Sequence, residues 1–161
     1  LALVIFDLDH FKRYNDLFGH REGDLALSTI SRVIRETIRD TDLPARYGGE
    51  EIAVILPESC TEEAIAQAER TRKAVEKLPY GPSHPLKRKM TISGGVACMP
   101  ADTSFREELV LFADQALYHA KRHGRNRVVA WSDSRKEPRP DMPAKLDLPE
   151  LGGMDRPSPL S

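Results

Sequence analysis

The first six residues, Leu1-Ala-Leu-Val-Ile-Phe6, form an unbroken apolar run that two acids, Asp7 and Asp9, bring to a close. A strand with one wet face alternates apolar and polar side chains, so a run without a polar member is a strand buried on both faces. Such a chain must fold around a sheet that is covered on both sides. Carboxylates at the C-terminal end of the buried strand then fall at the sheet edge, where ligands bind in folds of this kind. Of the two acids, only one is expected to aim into a given site. A calcium loop starting at Asp7 is excluded, because its sixth position is Lys12 where that loop needs Gly.

The remaining pattern supplies the covering layers. Leu27, Ile30, Ile34 and Ile38 recur at helical spacing and predict a helix over 23–39. Gly48-Gly49 reads as a tight turn leading into an apolar strand over 53–56. Ser59 and Glu62 have capping-box spacing for a helix running to about Lys77, and a Pro- and Gly-rich loop follows over 79–85. Met90, Ile92, Gly94 and Val96 alternate with smaller or polar residues as a third strand. Ser104 and Glu107 suggest a second capping box, ahead of the helical stripe Leu109, Phe112, Ala113, Ala116, Leu117 and Ala120. Gly124 ends that helix, and a last strand spans 127–131. The order strand, helix, hairpin, helix, strand, helix, strand specifies an α/β sandwich on a mixed sheet. From Ser132 onward no apolar period survives and six of the twelve prolines occur. The expected organisation is one domain over 1–131 and a disordered Pro-rich tail over 132–161.

Composition removes whole classes of function. With 24 Lys and Arg against 25 Asp and Glu, the net charge of −1 gives no electrostatic case for binding nucleic acid or a membrane surface. Two widely separated cysteines, Cys60 and Cys98, suggest neither a disulfide framework nor a zinc site, so a reducing cytoplasm is expected. The opening apolar run is far too short to span a bilayer. With no initiator Met and no signal-peptide layout, Leu1 is expected to be a cut inside a larger protein.

Several residues can carry chemistry. Glu50 and Glu51 crowd the tip of the Gly-Gly hairpin, where like charges repel unless a cation binds. If the hairpin lies beside the first strand, Asp7 and Glu50 converge, and two carboxylates with waters suit magnesium held against phosphate oxygens. Asn15, His20 and Asp24 follow in a polar segment. An Asp with an Asn beside it suits the donor-rich Watson–Crick edge of guanine, although Asp24 could equally cap the Leu27 helix. Lys121 and Arg125 straddle a helix C-terminus, placed either to complement its dipole or to clamp a triphosphate.

Taken together, these segments resemble the GGDEF domain of diguanylate cyclases. The matching stretches are Phe6-Asp-Leu-Asp-His-Phe-Lys12, Asn15-Asp16, Gly19-His20, Gly23-Asp24 and Arg46-Tyr-Gly-Gly-Glu-Glu51, then Ala116-Leu-Tyr-His-Ala-Lys121 and Gly124-Arg-Asn-Arg127. The resemblance implies a ferredoxin-like fold related to nucleotidyl cyclases and polymerase palms, with a mainly antiparallel sheet flanked by helices. It implies condensation of two GTP into cyclic di-GMP with release of pyrophosphate. Asp7 and Glu50 would bind Mg2+ (or Mn2+) through side chains and Leu8 through its carbonyl, with Glu50 as base and Glu51 in support. Asn15, His20 and Asp24 would line the guanine and ribose pocket, while Lys12, Lys121 and Arg125 would steady the phosphates. Each domain would hold one GTP, so the active form would be a homodimer.

The resemblance also extends to an inhibitory site. Arg39-Asp-Thr-Asp42 sits upstream of the hairpin at the family's Arg-x-x-Asp offset, with Arg70 assisting, and implies inhibition by the product. With each charged residue type near 6% of a typical chain, that pair falls at a fixed offset by chance about once in three hundred. Two departures stand out. Ile52 replaces the family's Phe at what should be a buried strand position, and the family's opening helix with its Asp-x-Leu-Thr-Gly-Leu-x-Asn-Arg segment is missing. An inactive domain that binds GTP or cyclic di-GMP is the alternative function, and a plain interaction domain a third. A sensor, receiver or membrane anchor is expected outside this fragment.

Overall fold

The computed structural model describes residues 1–134. A five-stranded sheet has the order β2-β3-β1-β4-β5. Its strands are β1 (Ala2–Leu8), β2 (Leu43–Arg46), β3 (Glu51–Leu56), β4 (Ile92–Cys98) and β5 (Val128–Ala130). The strand β1 is central and antiparallel to both β3 and β4, β2 is antiparallel to β3, and only β4–β5 is parallel. This is the expected mixed, mainly antiparallel sheet.

All seven residues of β1 are buried. Ala2, Val4, Phe6 and Leu8 join one core with the helices α2 (His20–Thr37) and α3 (Thr61–Glu76). Leu3 and Ile5 join a second core under α4 (Arg106–Arg122) and Trp131, which opens the short α5 (Trp131–Ser134). Two apolar faces on one strand account for the unbroken run at the start of the sequence.

Three boundaries predicted from the sequence shift, and one helix is additional. A helix α1 (Phe11–Phe18) precedes α2 and was not foreseen, because it is short and buries only Phe11 and Tyr14. The following helix begins at His20 rather than Gly23, so Asp24 lies inside it and does not cap it. The box at α3 uses Cys60 and Glu63, one residue beyond Ser59 and Glu62, with the Cys60 amide donating to Glu63 Oε2 at 3.1 Å. At α4 no side chain caps the N-terminus; Thr103 accepts from the Phe105 amide and donates to Glu108, while Glu107 pairs with Arg106. Ile52 is 5% exposed and packs in the core, as expected of an apolar replacement. Beyond its first three residues, the proposed tail lies outside the described residues. Among the described residues no helix is long and apolar enough to cross a membrane.

Candidate active site

Register brings the acids together. Asp7, on the central strand, pairs with Glu51 of β3, and the Leu8 amide donates to the Glu50 carbonyl at 3.4 Å. The hairpin tip therefore lies beside the end of β1, although 43 residues separate Asp7 from Glu50 in the chain. The turn closes on itself, with the Tyr47 and Gly48 amides both donating to the Glu51 carbonyl at 2.9 and 3.3 Å. Arg46, to which the sequence reading gave no role, buttresses it by donating to the carbonyls of Gly48 (3.2 Å) and Gly49 (2.7 Å).

Asp7 faces α4. Its Oδ2 lies 2.7 Å from Lys121 Nζ, and the side chain is 6% exposed. Burial pushes its pKa up to about 6; the Lys121 ammonium opposes that rise, and the charges of Glu50 and Glu51 add to it. Three acids thus share a small region with one ammonium, an arrangement that a further cation would relieve. Among the described residues no cluster of three or more His, Cys, Asp or Glu side chains stands ready to hold a metal alone. A cation here would draw on the hard oxygens of Asp7, Glu50 and the Leu8 carbonyl, with water or ligand oxygens for the rest. That donor set fits magnesium.

The close approach of α4 makes the Asp7–Lys121 contact. A β-carbon on Gly95 of β4 would lie 2.1 Å from the Ala113 carbonyl oxygen and 2.2 Å from the Leu117 amide nitrogen, so α4 rests on bare backbone there. Ala113, Leu117 and Lys121 follow at four-residue spacing, which carries the ammonium along the same helix face to Asp7.

Asp9 serves a different purpose. The residue is 5% exposed, and its carboxylate accepts hydrogen bonds from Thr91 Oγ1 (2.6 Å), Ser93 Oγ (2.7 Å) and the Asn126 amide (3.0 Å). Both its oxygens are engaged in tying β1 to β4 and to the α4–β5 loop, so one acid aims into the site and the other does not.

Asn15 packs against α2 where Gly23 leaves room; a β-carbon on Gly23 would sit 1.7 Å from Asn15 Oδ1. That oxygen is buried without a hydrogen-bond partner among the described residues. His20 and Asp24, one turn apart on the exposed face of α2, continue with Leu27 and Ser31 toward a groove of about 360 Å³ whose far wall is Arg46. Lys12 is exposed in the first turn of α1, and Arg125 is exposed in the loop after α4.

The Arg39-x-x-Asp42 segment forms a tight turn away from these groups. The Arg39 amide donates to Asp42 Oδ2 at 2.8 Å and the Asp42 amide to the Arg39 carbonyl at 3.0 Å. Asp42 Oδ1 is buried and unpartnered among the described residues. Arg70 of α3 donates to the Thr37 carbonyl at 2.8 Å and also to Gln67, which brings it to the same corner, at the C-terminus of α2.

Comparison with known proteins identifies the family. Residues 1–127 match the family described as diguanylate cyclase, GGDEF domain. The probable diguanylate cyclase DgcT of Escherichia coli is 44% identical over 129 residues, covering 80% of this chain and 28% of DgcT. The GGDEF domain of DgcB from Caulobacter crescentus, solved in complex with c-di-GMP, superposes with a TM-score of 0.72 at 34% identity, covering 81% and 77% of the two chains. The active GGEEF domain of a diguanylate cyclase from Vibrio cholerae superposes with a TM-score of 0.74 at 31% identity, covering 81% of each. The chain spans about a third or less of the curated relatives it matches. This chain belongs to the GGDEF domain family of diguanylate cyclases.

Proposed function

We propose that this domain is an active diguanylate cyclase, joining two GTP into cyclic di-GMP with release of two pyrophosphates. The observation that carries the reading is the convergence of Asp7, Glu50, Glu51 and Lys121 at one end of β1. Magnesium, or manganese, held by Asp7, Glu50 and the Leu8 carbonyl, supplies charge neutralisation at the phosphates and acidifies the attacking hydroxyl. Glu50 accepts the proton of the 3′-hydroxyl as oxygen attacks the α-phosphorus of the other GTP and pyrophosphate leaves. Glu51 supports the metal site. Lys12, Lys121 and Arg125 hold the phosphates, and most of the rate enhancement is positioning and electrostatics.

The unpartnered oxygen of Asn15 supports base recognition, because the Watson–Crick edge of guanine presents only N–H donors beside its O6, and His20 and Asp24 complete that pocket. Each domain holds one GTP, so two domains face each other as a homodimer. Product returns to Arg39, Asp42 and Arg70; a guanidinium fork matches guanine O6 and N7, and Asp42 Oδ1 is a buried acceptor awaiting a donor. The reaction belongs in the cytoplasm, under a sensor or receiver module elsewhere in the protein.

The test is incubation of the full-length protein with GTP and magnesium, measuring pyrophosphate and cyclic di-GMP. Turnover that vanishes in Glu50→Ala while the fold persists supports the assignment. Nucleotide binding without turnover in the wild type overturns it in favour of an inactive binding domain. In the same assay Arg39→Ala keeps its initial rate and loses sensitivity to added cyclic di-GMP; unchanged sensitivity refutes the inhibitory site.

A further inference from the structure

The loop between α4 and β5 is held in an uncommon conformation by groups from two distant parts of the chain, the end of β1 and α3. Arg125 and Asn126 are consecutive non-glycine residues with φ of 62° and 47°, both in the left-handed region. Such a pair persists only where the surroundings over-determine it. Here three polar groups of Asn126 are engaged. Its amide donates to Asp9 Oδ2 at 3.0 Å, its side-chain oxygen accepts from Arg72 Nη1 at 2.7 Å, and its side-chain nitrogen donates to Glu76 Oε1 at 2.8 Å.

Arg72, on α3, is itself 8% exposed. It donates to Glu69 through Nε at 3.0 and 3.1 Å and to Glu76 Oε2 at 3.0 Å. Glu69 Oε1 also accepts from the Val128 amide at 3.2 Å, so the same carboxylate pins the start of β5. A buried guanidinium held through Nε and Nη1 by three side chains is a rigid strut rather than a solvated charge. The chain of contacts runs from α3 through Arg72 and Asn126 to Asp9, two residues beyond Asp7. Arg125 is the exposed residue that this frame presents.

We infer that Arg72, Asn126 and Asp9 are positioning residues that hold the 124–127 loop so that Arg125 is in place for a triphosphate before the nucleotide arrives. The inference rests on the cyclase reading, which puts the phosphates at this loop, and goes beyond it in naming what orders the loop. With the strut broken, the loop samples other conformations, and a ligand that needs Arg125 binds only the fraction in which it is aligned. A ligand without the outer phosphates is indifferent to that fraction.

The experiment measures binding to the full-length protein, with magnesium, of 3′-deoxy-GTP, which lacks the attacking hydroxyl, and of GMP, which lacks the outer phosphates. Asn126→Ala weakens 3′-deoxy-GTP by about tenfold and leaves GMP within about twofold. Asn126→Gly keeps the left-handed backbone accessible and removes the strut, and shows the same split; Arg72→Lys, which cannot reach all its partners at once, does likewise. Arg125→Ala and the double variant Arg125→Ala/Asn126→Ala bind 3′-deoxy-GTP within about twofold of each other, because Asn126 acts through Arg125. Equal losses for both nucleotides, full multiplication of the two single effects, or wild-type affinity in Asn126→Gly would each overturn the inference. A wild-type protein that does not prefer 3′-deoxy-GTP to GMP removes the phosphates from this loop, and the functional reading falls with it.

Discussion

Asp7 offers a test of the site that does not depend on catalysis. Its carboxyl titrates near 6 in the folded chain and near the ordinary 3.8 when unfolded, chiefly because burial disfavours the charged form. The folded state therefore holds a proton that the unfolded state has already released, and stability falls as pH rises from about 4 to about 6. At about 1.4 kcal/mol per pKa unit, the charged carboxylate costs the metal-free fold about 3 kcal/mol above pH 6. Asp7→Asn removes that penalty. Relative to wild type in chelator, the variant gains about 3 kcal/mol between pH 4 and pH 7, and titrations common to both proteins cancel in the difference. Saturating magnesium reverses the order at pH 7, since only the wild type offers the carboxylate and gains binding free energy. Urea unfolding of this chain reports the comparison through Trp131, its sole tryptophan, stacked on Phe112 at 4.4 Å between centroids. A pH-independent difference refutes the burial argument, and the absence of a reversal with magnesium refutes Asp7 as a ligand.

Two further substitutions test the close approaches that shape the site. Gly23→Ala drives a methyl group into Asn15 Oδ1, so the amide must swing away; the KM for GTP rises at least about tenfold, in line with loss of a buried hydrogen-bonding group, while kcat changes less. Equal kinetics would mean that Asn15 does not face the base. Gly95→Ala strikes backbone atoms of Ala113 and Leu117, so α4 must lift; urea unfolding shows a loss of about 1–3 kcal/mol. Activity falls further than stability explains, because Lys121 leaves Asp7. Retained activity would show that the contact is incidental.

The family's motifs mark the acids of the hairpin tip and of the first strand in the sequence itself. The run 1–6 required a sheet buried on both faces, and the helical stripe in α4 identified the layer that covers one of them. These features are local: a face is encoded by the period of apolar residues along one segment, and a turn by the residues that tolerate it. Helix α1 escaped because two buried residues in eight make no period, and the capping boxes slipped because several Ser, Cys and Glu spacings satisfy the same rule.

Only the tertiary structure could decide which carboxylate does what. Asp7 and Asp9 are near-identical in sequence context. One meets Lys121 and the hairpin, and the other is consumed by Thr91, Ser93 and Asn126, up to 117 residues away. The strut of Arg72 and Asn126, the bare backbone at Gly95 and the unpartnered oxygen of Asn15 are likewise contacts between distant segments. A sequence states which side chains are available at each point. Which of them meet depends on sheet register and helix packing, and these are settled by burying two cores at once.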